Sequence, residues 1–249
     1  MENTLLIGLS RQVALARELD VIANNMANVN TNGFKARSSR FEEFLEPDAS
    51  IETFPWPDRT LSYVIDGGTP IDLTDGATEP TGNPLDVAIR GDAFFAVQTP
   101  AGERYTRNGA FQMDAQGRLV TSDGFPVLGD GGPIQLEPGD SDVVIGPDGT
   151  VSTNAGERGR IALVRFEQPG SLSNLGANLF APLEPAQEAI PAGTAARVEQ
   201  GFVERSNVQA VHEMTRLMEV SRAYTRIAST LSSLSDLQRT AIQTLGEAV

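Results

Sequence analysis

The residues that could support catalysis are few, and their spacing fits no common catalytic set. His212 is the only histidine, so no histidine pair can bind zinc, and the segment His212 to Arg216 departs from the H-E-x-x-H pattern. A Ser-His-Asp triad would have to use this same histidine, which falls at the start of a helical pattern rather than where such triads are usually held. The chain contains neither a G-x-S-x-G elbow nor a G-x-x-x-x-G-K-[ST] phosphate loop. The sequence therefore predicts a protein that is not an enzyme and that uses no cofactor.

Acidic side chains are frequent, but none belongs to a recognisable metal loop. Asp-Gly pairs recur along the chain, and Asp-Gly is the ordinary choice for tight turns. None of them extends into the D-x-[DN]-x-[DN]-G loop that binds calcium. Glu42 and Glu43, or Asp140 and Asp142, could form a glycosidase dyad only if folding brought the two carboxylates together. Because the chain has no cysteine, zinc–cysteine sites and disulfides are excluded, and we expect no metal site.

The charge is distributed unevenly. The net charge is −14 over 249 residues; residues 1–40 carry +2, residues 205–249 carry +1, and the segment between them carries −17. An acidic middle without a basic stripe argues against nucleic-acid binding. No apolar run near the start of the sequence is long enough for a membrane span or a signal-peptide core, so we also expect neither membrane insertion nor a cleavable signal peptide.

Apolar residues at helical spacing mark both ends of the chain. The N-terminal stripe consists of Leu5, Leu9, Ala16, Leu19, Ala23 and Met26. The C-terminal stripe consists of Leu217, Val220, Tyr224, Ile227, Leu231, Leu234, Ala241 and Leu245. Each stripe has about two apolar residues in seven, the width of a coiled-coil contact. We therefore expect the two helices to pair, and both stripes to serve in assembly.

Asparagines crowd the end of the first helix. Asn24, Asn25 and Asn28 precede Asn32-Gly33, a strong helix stop. Asparagine is a poor residue for a helix interior because its amide competes for backbone partners. Two interpretations stay open: the amides satisfy the helix end, or they bond across to a neighbouring helix. We include these three asparagines and the two stripes in the predicted assembly interface.

The middle of the chain has strand periodicity. From about residue 81, apolar and polar residues alternate, turn signals recur every 8–12 residues, and Asn108-Gly109 predicts a hairpin turn. The predicted fold class is α+β with a mainly β middle: N- and C-terminal helices pair as a coiled coil, with a compact antiparallel β domain between them. The four predicted segments are a helix with an Asn-rich end at 1–34, an extended connector at 35–80, the β domain at 81–200 and the C-terminal helix at 201–249.

Three stretches resemble one protein family. Residues 24–35 (NNMANVNTNGFK) are similar to the A-N-N-x-A-N-x-x-T-x-G-F-K signature of bacterial flagellar rod and hook proteins, and residues 105–111 (YTRNGAF) to the family's Y-T-R-N-G-x-F motif. Residues 200–208 (QGFVERSNV) resemble the G-x-L-E-x-S-N-V entry to its terminal helix, with Val203 in place of leucine. Residues 1–3 and 8–12 most resemble the members that form the proximal rod, next to the distal rod, and residues 81–89 and 121–129 support this assignment.

This resemblance implies a structural subunit of the bacterial flagellar basal body. Members of the family leave the cell through the flagellar type III export apparatus without a cleaved signal. They then stack helically in the periplasm as the rod, the drive shaft that transmits torque. The implied partners are copies of the chain, the inner-rod and distal-rod subunits, and the export apparatus, without nucleic acid and without membrane insertion.

Three other hypotheses stay open at this stage. The chain could be a distal rod protein of the same family. From a different class, it could be a secreted acidic hydrolase with a coiled-coil oligomerisation segment. It could also be an adhesin-like fibre that trimerises through its C-terminal helix alone, although that hypothesis leaves the N-terminal stripe unexplained.

Overall fold

The computed structural model of the chain describes residues 2–46, 61–66, 69–168, 170, 172–182, 189–193 and 196–247. For residues 2–6, 41–46, 61–66, 241–242 and 245–247 it describes the backbone only. The chain divides into two compact units. The helical unit takes in described residues of Met1–Met26, Arg37–Pro70 and Gln209–Val249, and the β unit takes in those of Ala27–Ala36 and Ile71–Val208. The four-segment division drawn from the sequence stays a prediction.

Two helices and a series of short strands make up the described part of the chain. The helical unit holds α1 (Glu2–Ala27), β1 (Phe41–Glu46), β2 (Leu61–Asp66) and α2 (Ala210–Glu247), apart from Ala27 itself. The β unit holds β3 (Thr78–Pro80), β4 (Val87–Arg90), β5 (Phe94–Thr99), β6 (Gly102–Thr106), β7 (Gln112–Met113), β8 (Leu119–Val120), β9 (Leu128–Gly129), β10 (Gly132–Pro133), β11 (Val144–Ile145), β12 (Thr150–Thr153), β13 (Gly156–Arg160), β14 (Leu163–Arg165), β15 (Leu172–Gly176), β16 (Leu179–Pro182), β17 (Ile190–Pro191), β18 (Arg197–Gln200) and β19 (Phe202–Glu204).

The two terminal helices lie against each other in antiparallel orientation. Gly8 of α1 faces Leu231 of α2, and Gln12 Nε2 donates a hydrogen bond of 3.2 Å to Tyr224 Oη. Farther along, Arg216 donates two hydrogen bonds to Glu18 Oε1 at 2.7 and 3.0 Å. The pairing of the two helices confirms the predicted fold class. Neither of these helices, as far as the structure describes them, combines the length and apolar character that a membrane span requires.

A six-stranded antiparallel sheet is the centre of the β unit. Its strand order is β15-β16-β6-β5-β14-β17. Along β5, Phe95 and Val97 belong to one buried cluster, whereas Phe94 and Ala96 belong to a second. This alternation follows from the period of two in a strand, so both faces of the central strand are covered and the β unit has its own core.

The predicted hairpin at Asn108-Gly109 is wrong. β6 pairs with β5 and β16, whereas β7 pairs with β8, so the two strands on either side of this dipeptide do not pair with each other. Gly109 serves another purpose: its carbonyl oxygen accepts a hydrogen bond of 2.9 Å from Val87 N. A Cβ at position 109 would lie 1.7 Å from Val87 O, so the glycine is required by a close approach of two backbones rather than by a turn.

Candidate assembly interface

Among the described side chains, the histidine and the aspartates with catalytic potential belong to different units of the chain. His212 is exposed in the first turn of α2. The carboxylate of Asp140 accepts two hydrogen bonds from Arg158, at 2.7 and 2.8 Å, and so has a structural partner. The side chains of Glu42 and Glu43 lie outside the described residues. Among the side chains that the structure does describe, no three acidic or histidine groups are arranged to hold a metal ion.

The predicted N-terminal stripe is only partly covered. Leu9 and Ala23 are exposed, Ala16, Leu19 and Met26 are half-buried, and the side chain of Leu5 is outside the described residues. The residues of α1 that are seen to contact α2 are Gly8, Gln12 and Glu18. Ile22, which lies between the predicted residues Leu19 and Ala23, is fully buried. The role of the N-terminal stripe in assembly between chains stays a prediction.

The predicted C-terminal stripe lies largely on the covered side of α2. Val220 is buried, and Leu217, Tyr224, Ile227, Leu231 and Leu234 are half-buried. Tyr224 and Leu231 contact α1 directly. The side chains of Ala241 and Leu245 lie outside the described residues. Much of this stripe is thus engaged within the chain, and its part in assembly between chains stays a prediction.

The predicted asparagines have separate environments. Asn25 is buried, and its side-chain amide makes two hydrogen bonds to the backbone of Arg37. Oδ1 accepts from Arg37 N at 3.0 Å, and Nδ2 donates to Arg37 O at 2.8 Å. Asn28 is half-buried and its Oδ1 accepts from Thr31 Oγ1 at 3.2 Å, whereas Asn24 is exposed. Asn25 therefore satisfies the backbone near its own helix end, the first of the two interpretations offered above.

A second set of apolar residues on the helices was missed by the sequence interpretation. Val211, Met214 and Met218 are exposed on α2 at spacings of three and four residues, and Leu237 is exposed nearer its end. On α1, Ile7 and Val13 are exposed beside Leu9. The spacing of Val211, Met214 and Met218 predicts a second apolar face on α2. The sequence interpretation followed the longer stripe that begins at Leu217 instead.

In the β unit, a buried cluster of charges joins residues that are far apart in the sequence. Lys35, the only lysine of the chain, donates a 2.6 Å hydrogen bond from Nζ to Glu204 Oε1. Arg107 Nη1 lies 3.5 Å from Glu204 Oε2, and its guanidinium lies over the ring of Phe94, 5.2 Å from the centroid. The side chains of Lys35, Arg107 and Glu204 are 1%, 1% and 2% exposed. Burial lowers the pKa of Lys35, and the carboxylate of Glu204 opposes this shift.

Backbone hydrogen bonds surround this charge cluster. Residues 27–36, which we name the docking segment, bond to residues 204–207, which we name the anchor. Gly33 N donates to Glu204 O at 2.7 Å, and Ala36 N donates to Asn207 Oδ1 at 2.7 Å. Gly33 has a φ of +66°, and a Cβ there would lie 2.5 Å from the Arg107 carbonyl carbon. Only glycine therefore fits this position.

Comparison with known proteins gives the same family for all three regions. Residues 5–35 match the family model for flagella basal body rod proteins, residues 88–153 that for the flagellar hook protein FlgE/F/G D1 domain, and residues 199–244 that for the flagellar basal body rod FlgEFG protein C-terminal region. The flagellar basal-body rod protein FlgF of Caulobacter vibrioides is 41% identical over 249 residues, with 99% of both chains covered. The chain belongs to the flagellar basal-body rod protein family.

Other rod proteins are also similar over most of their length. FlgF of Mesorhizobium japonicum is 39% identical with 99% of both chains covered, and the flagellar basal-body rod protein FlgG of Bacillus subtilis is 33% identical over 90% of this chain and 92% of its own. The chain is thus a structural subunit of the flagellar rod. Lys35, Arg107 and Glu204 come one from each of the three regions that match the family models, so the buried charge cluster joins all three.

Proposed function

We propose that this chain forms the proximal part of the flagellar rod, where it stacks helically and transmits torque without catalysing a reaction. The relatives named FlgF support the proximal assignment over the distal one. The two cited above are 39–41% identical across 99% of both chains, whereas the FlgG of Bacillus subtilis is 33% identical over a shorter share. Membership in a structural family favours this function over the secreted hydrolase.

The observation that carries the proposal is where the exposed apolar residues lie. Of the ten large apolar side chains that are exposed in the described part of the chain, seven are on α1 or α2. A contiguous exposed apolar patch marks an interaction surface, and the spacing of Val211, Met214 and Met218 places these three residues together on one face of α2. Each such side chain contributes roughly 1.5–3 kcal/mol when it becomes fully buried, so the two helices have the surface needed to bind neighbouring subunits.

The length of α2 supports the same role. The 38 residues of α2 span about 57 Å, and the pairing of Gly8 with Leu231 leaves roughly the last ten without an α1 residue opposite. Leu237 is exposed where that overhang begins. We propose that the helical unit forms the inner layer of the rod and that the residues of the two predicted stripes complete the interface. The partners are further copies of the chain and the inner-rod and distal-rod subunits.

Two further parts of the proposal concern the path of the chain to the periplasm. We propose that it passes through the flagellar export apparatus and joins the basal body on the periplasmic side. The absence of cysteine from the sequence is compatible with this route, because no disulfide can form before or after passage.

A pair of methionine variants tests the assembly surface. In a strain that lacks the native gene, Met214→Asp should abolish motility and remove the chain from isolated basal bodies, because it places a charge on the apolar surface of α2. Met113→Asp is the matched control, since Met113 of the β unit is 57% exposed and Met214 is 52% exposed. We expect Met113→Asp to assemble and to swim.

Export and folding are checked separately. Both variants should give the wild-type far-ultraviolet circular dichroism spectrum as purified proteins and should appear in the periplasm. The proposal is wrong if Met214→Asp enters basal bodies at the wild-type level. It is equally wrong if Met113→Asp, although folded and exported, is excluded as strongly as Met214→Asp.

A further inference from the structure

The docking segment is held by residues that lie near the other end of the sequence. Apart from the bonds of Gly33 and Ala36 to the anchor, Asn32 O accepts from Asn178 Nδ2 at 2.7 Å, and Asn32 Oδ1 accepts from Arg205 Nη1 at 3.1 Å. These partners are separated from the docking segment by 146 to 173 positions. The docking segment therefore has its bonded position only when the late part of the chain is folded.

The charge of Lys35 makes this dependence strong. Its Nζ also donates to Thr74 O at 2.7 Å, but Glu204 supplies the only negative charge within ion-pairing distance in the described residues. Removing one partner of a buried ion pair destabilises a protein strongly because a charge is left buried without compensation. Lys35 therefore cannot enter its site at low free-energy cost before Glu204 is in place.

The charge cluster is also incompletely satisfied. Arg107 Nε, Arg107 Nη1 and Glu204 Oε2 are buried without a hydrogen-bond partner. The second carboxylate near Arg107, that of Asp75, lies 3.6 Å away and is 53% exposed. A partly satisfied buried polar network contributes less stability than a fully satisfied one. The cluster should therefore open at a lower free energy than the apolar core around Phe95 and Val97.

We propose that the docking segment is a conditional latch: it closes on the rest of the β unit only after the anchor has folded into place, and it opens as a whole while the β core stays folded. The docking segment begins at Ala27, the last residue of α1, and two positions separate the anchor from the first residue of α2. Closure of the latch thus depends on completion of the fold, and this inference does not depend on the rod assignment.

The single lysine provides a direct test on the full chain. An amine-reactive acetyl ester can label only Lys35 and the terminal amine, and peptide mass spectrometry separates the two. Because Lys35 is 1% exposed, its acetylation reports opening of the latch. In wild-type protein, the opening rate reported by Lys35 acetylation should exceed the opening rate of the core by about tenfold or more. The core rate is measured by hydrogen exchange at Phe94–Val97.

Matched variants separate the latch from general destabilisation. Glu204→Gln should raise the rate of Lys35 acetylation by about tenfold or more, the effect of losing a charged hydrogen bond, and should leave exchange at Phe94–Val97 unchanged. Glu199→Gln is the control: Glu199 pairs with Arg90 at 2.9 Å, and both side chains are exposed. It should change the acetylation rate by no more than about twofold.

A second variant covers the case in which Glu204→Gln does not fold. Asn207→Ala removes the acceptor of the Ala36 N bond and the donor of the bonds to Asp72 O and Thr74 O, without leaving a charge unpaired. It should also raise Lys35 acetylation. The proposal is overturned if Lys35 acetylation in wild-type protein keeps pace with core exchange at every denaturant concentration. It is also overturned if Lys35 is acetylated no faster in the folded variants than in Glu199→Gln. The same holds if hydrogen exchange of the core accelerates in these variants as much as Lys35 acetylation does.

Discussion

Gly8 of α1 lies directly against the side chain of Leu231 on α2. A Cβ on Gly8 would be 2.6 Å from Leu231 Cδ2, closer than two carbon atoms can approach without one of them moving. A residue that is poor for helix formation therefore stands at a close contact between the two helices. A larger residue at position 8 would therefore require the Leu231 side chain to move.

The first prediction concerns this contact. Gly8→Val should weaken the helix pair by roughly 1–3 kcal/mol, the usual effect of overpacking a filled contact. Leu231→Ala in the same molecule should restore part of the loss, since it makes room for the added methyl groups. Hydrogen exchange along residues 217–231 measures both effects. A double variant that is less stable than Gly8→Val alone would contradict the assigned contact.

The second prediction concerns the ion pair between the helices. Glu18 and Arg216 are half-buried, and Arg216 Nη2 lies 2.7 Å from Glu18 Oε1. Arg216→Glu should destabilise the pair by like-charge repulsion, and the exchanged variant Glu18→Arg/Arg216→Glu should recover about 0.5–1 kcal/mol of it. Arg222→Glu, at an exposed position of α2, is the control. The prediction fails if the exchanged variant is no more stable than Arg216→Glu.

The third prediction concerns stability at acid pH. The hydrogen bonds from Arg158 hold the pKa of Asp140 below its usual value of 3.8. A carboxylate whose pKa is lower in the folded state contributes stability above pH 3.8, and that contribution disappears as the pH falls through the folded-state pKa. Asp140→Asn should therefore flatten the loss of stability of the β unit below pH 3.8. Arg158→Gln should do the same, because it removes the cause of the shift.

Urea unfolding at a series of pH values checks this third prediction. The wild-type midpoint should fall more steeply below pH 3.8 than the midpoint of either variant. At neutral pH both variants should be less stable than the wild type, since the bonds between Asp140 and Arg158 are lost. An Asp140→Asn protein with the full wild-type slope would show that another group controls the acid transition.

The sequence could predict elements whose signal is local. The 3-4 spacing of Leu217, Val220 and Tyr224 located the covered side of α2, because apolar spacing reports directly on one face of a helix. The alternation of Leu85, Val87 and Ile89 with polar or small residues located β4 in the same way. In both cases a few neighbouring residues determine the element, so no knowledge of distant contacts is required.

Features that depend on distant partners could not be predicted. Gly109 has the composition of a hairpin turn with Asn108, but its role is set by Val87, 22 positions earlier. Lys35 and Arg107 occur in recognised motifs, yet nothing in either motif indicates that both side chains are buried beside Glu204. Charge burial reverses the ordinary expectation for lysine and arginine, and only the fold shows where it occurs.

The fourth prediction concerns the turn between β15 and β16. Ala177 and Asn178 have φ values of +49° and +55°, the left-handed pair that a two-residue hairpin requires. Asparagine tolerates this region, whereas alanine is disfavoured there by roughly 1–2 kcal/mol. Ala177→Gly should therefore raise the free energy of unfolding of the β unit by about 0.5–1 kcal/mol after the greater entropy of glycine in the unfolded chain is subtracted.

Asn178→Gly is the matched control for this turn. It also places a glycine, which adopts a positive φ without strain, in the turn. However, it removes the Nδ2 group that donates to Asn32 O at 2.7 Å. Loss of a hydrogen bond costs about 0.5–1.5 kcal/mol, so this variant should be less stable than the wild type. Hydrogen exchange at Phe180, measured for both variants, should therefore move in opposite directions. If both glycine substitutions stabilise the β unit, the bond from Asn178 to the docking segment contributes nothing, and backbone conformation alone determines the stability of this turn.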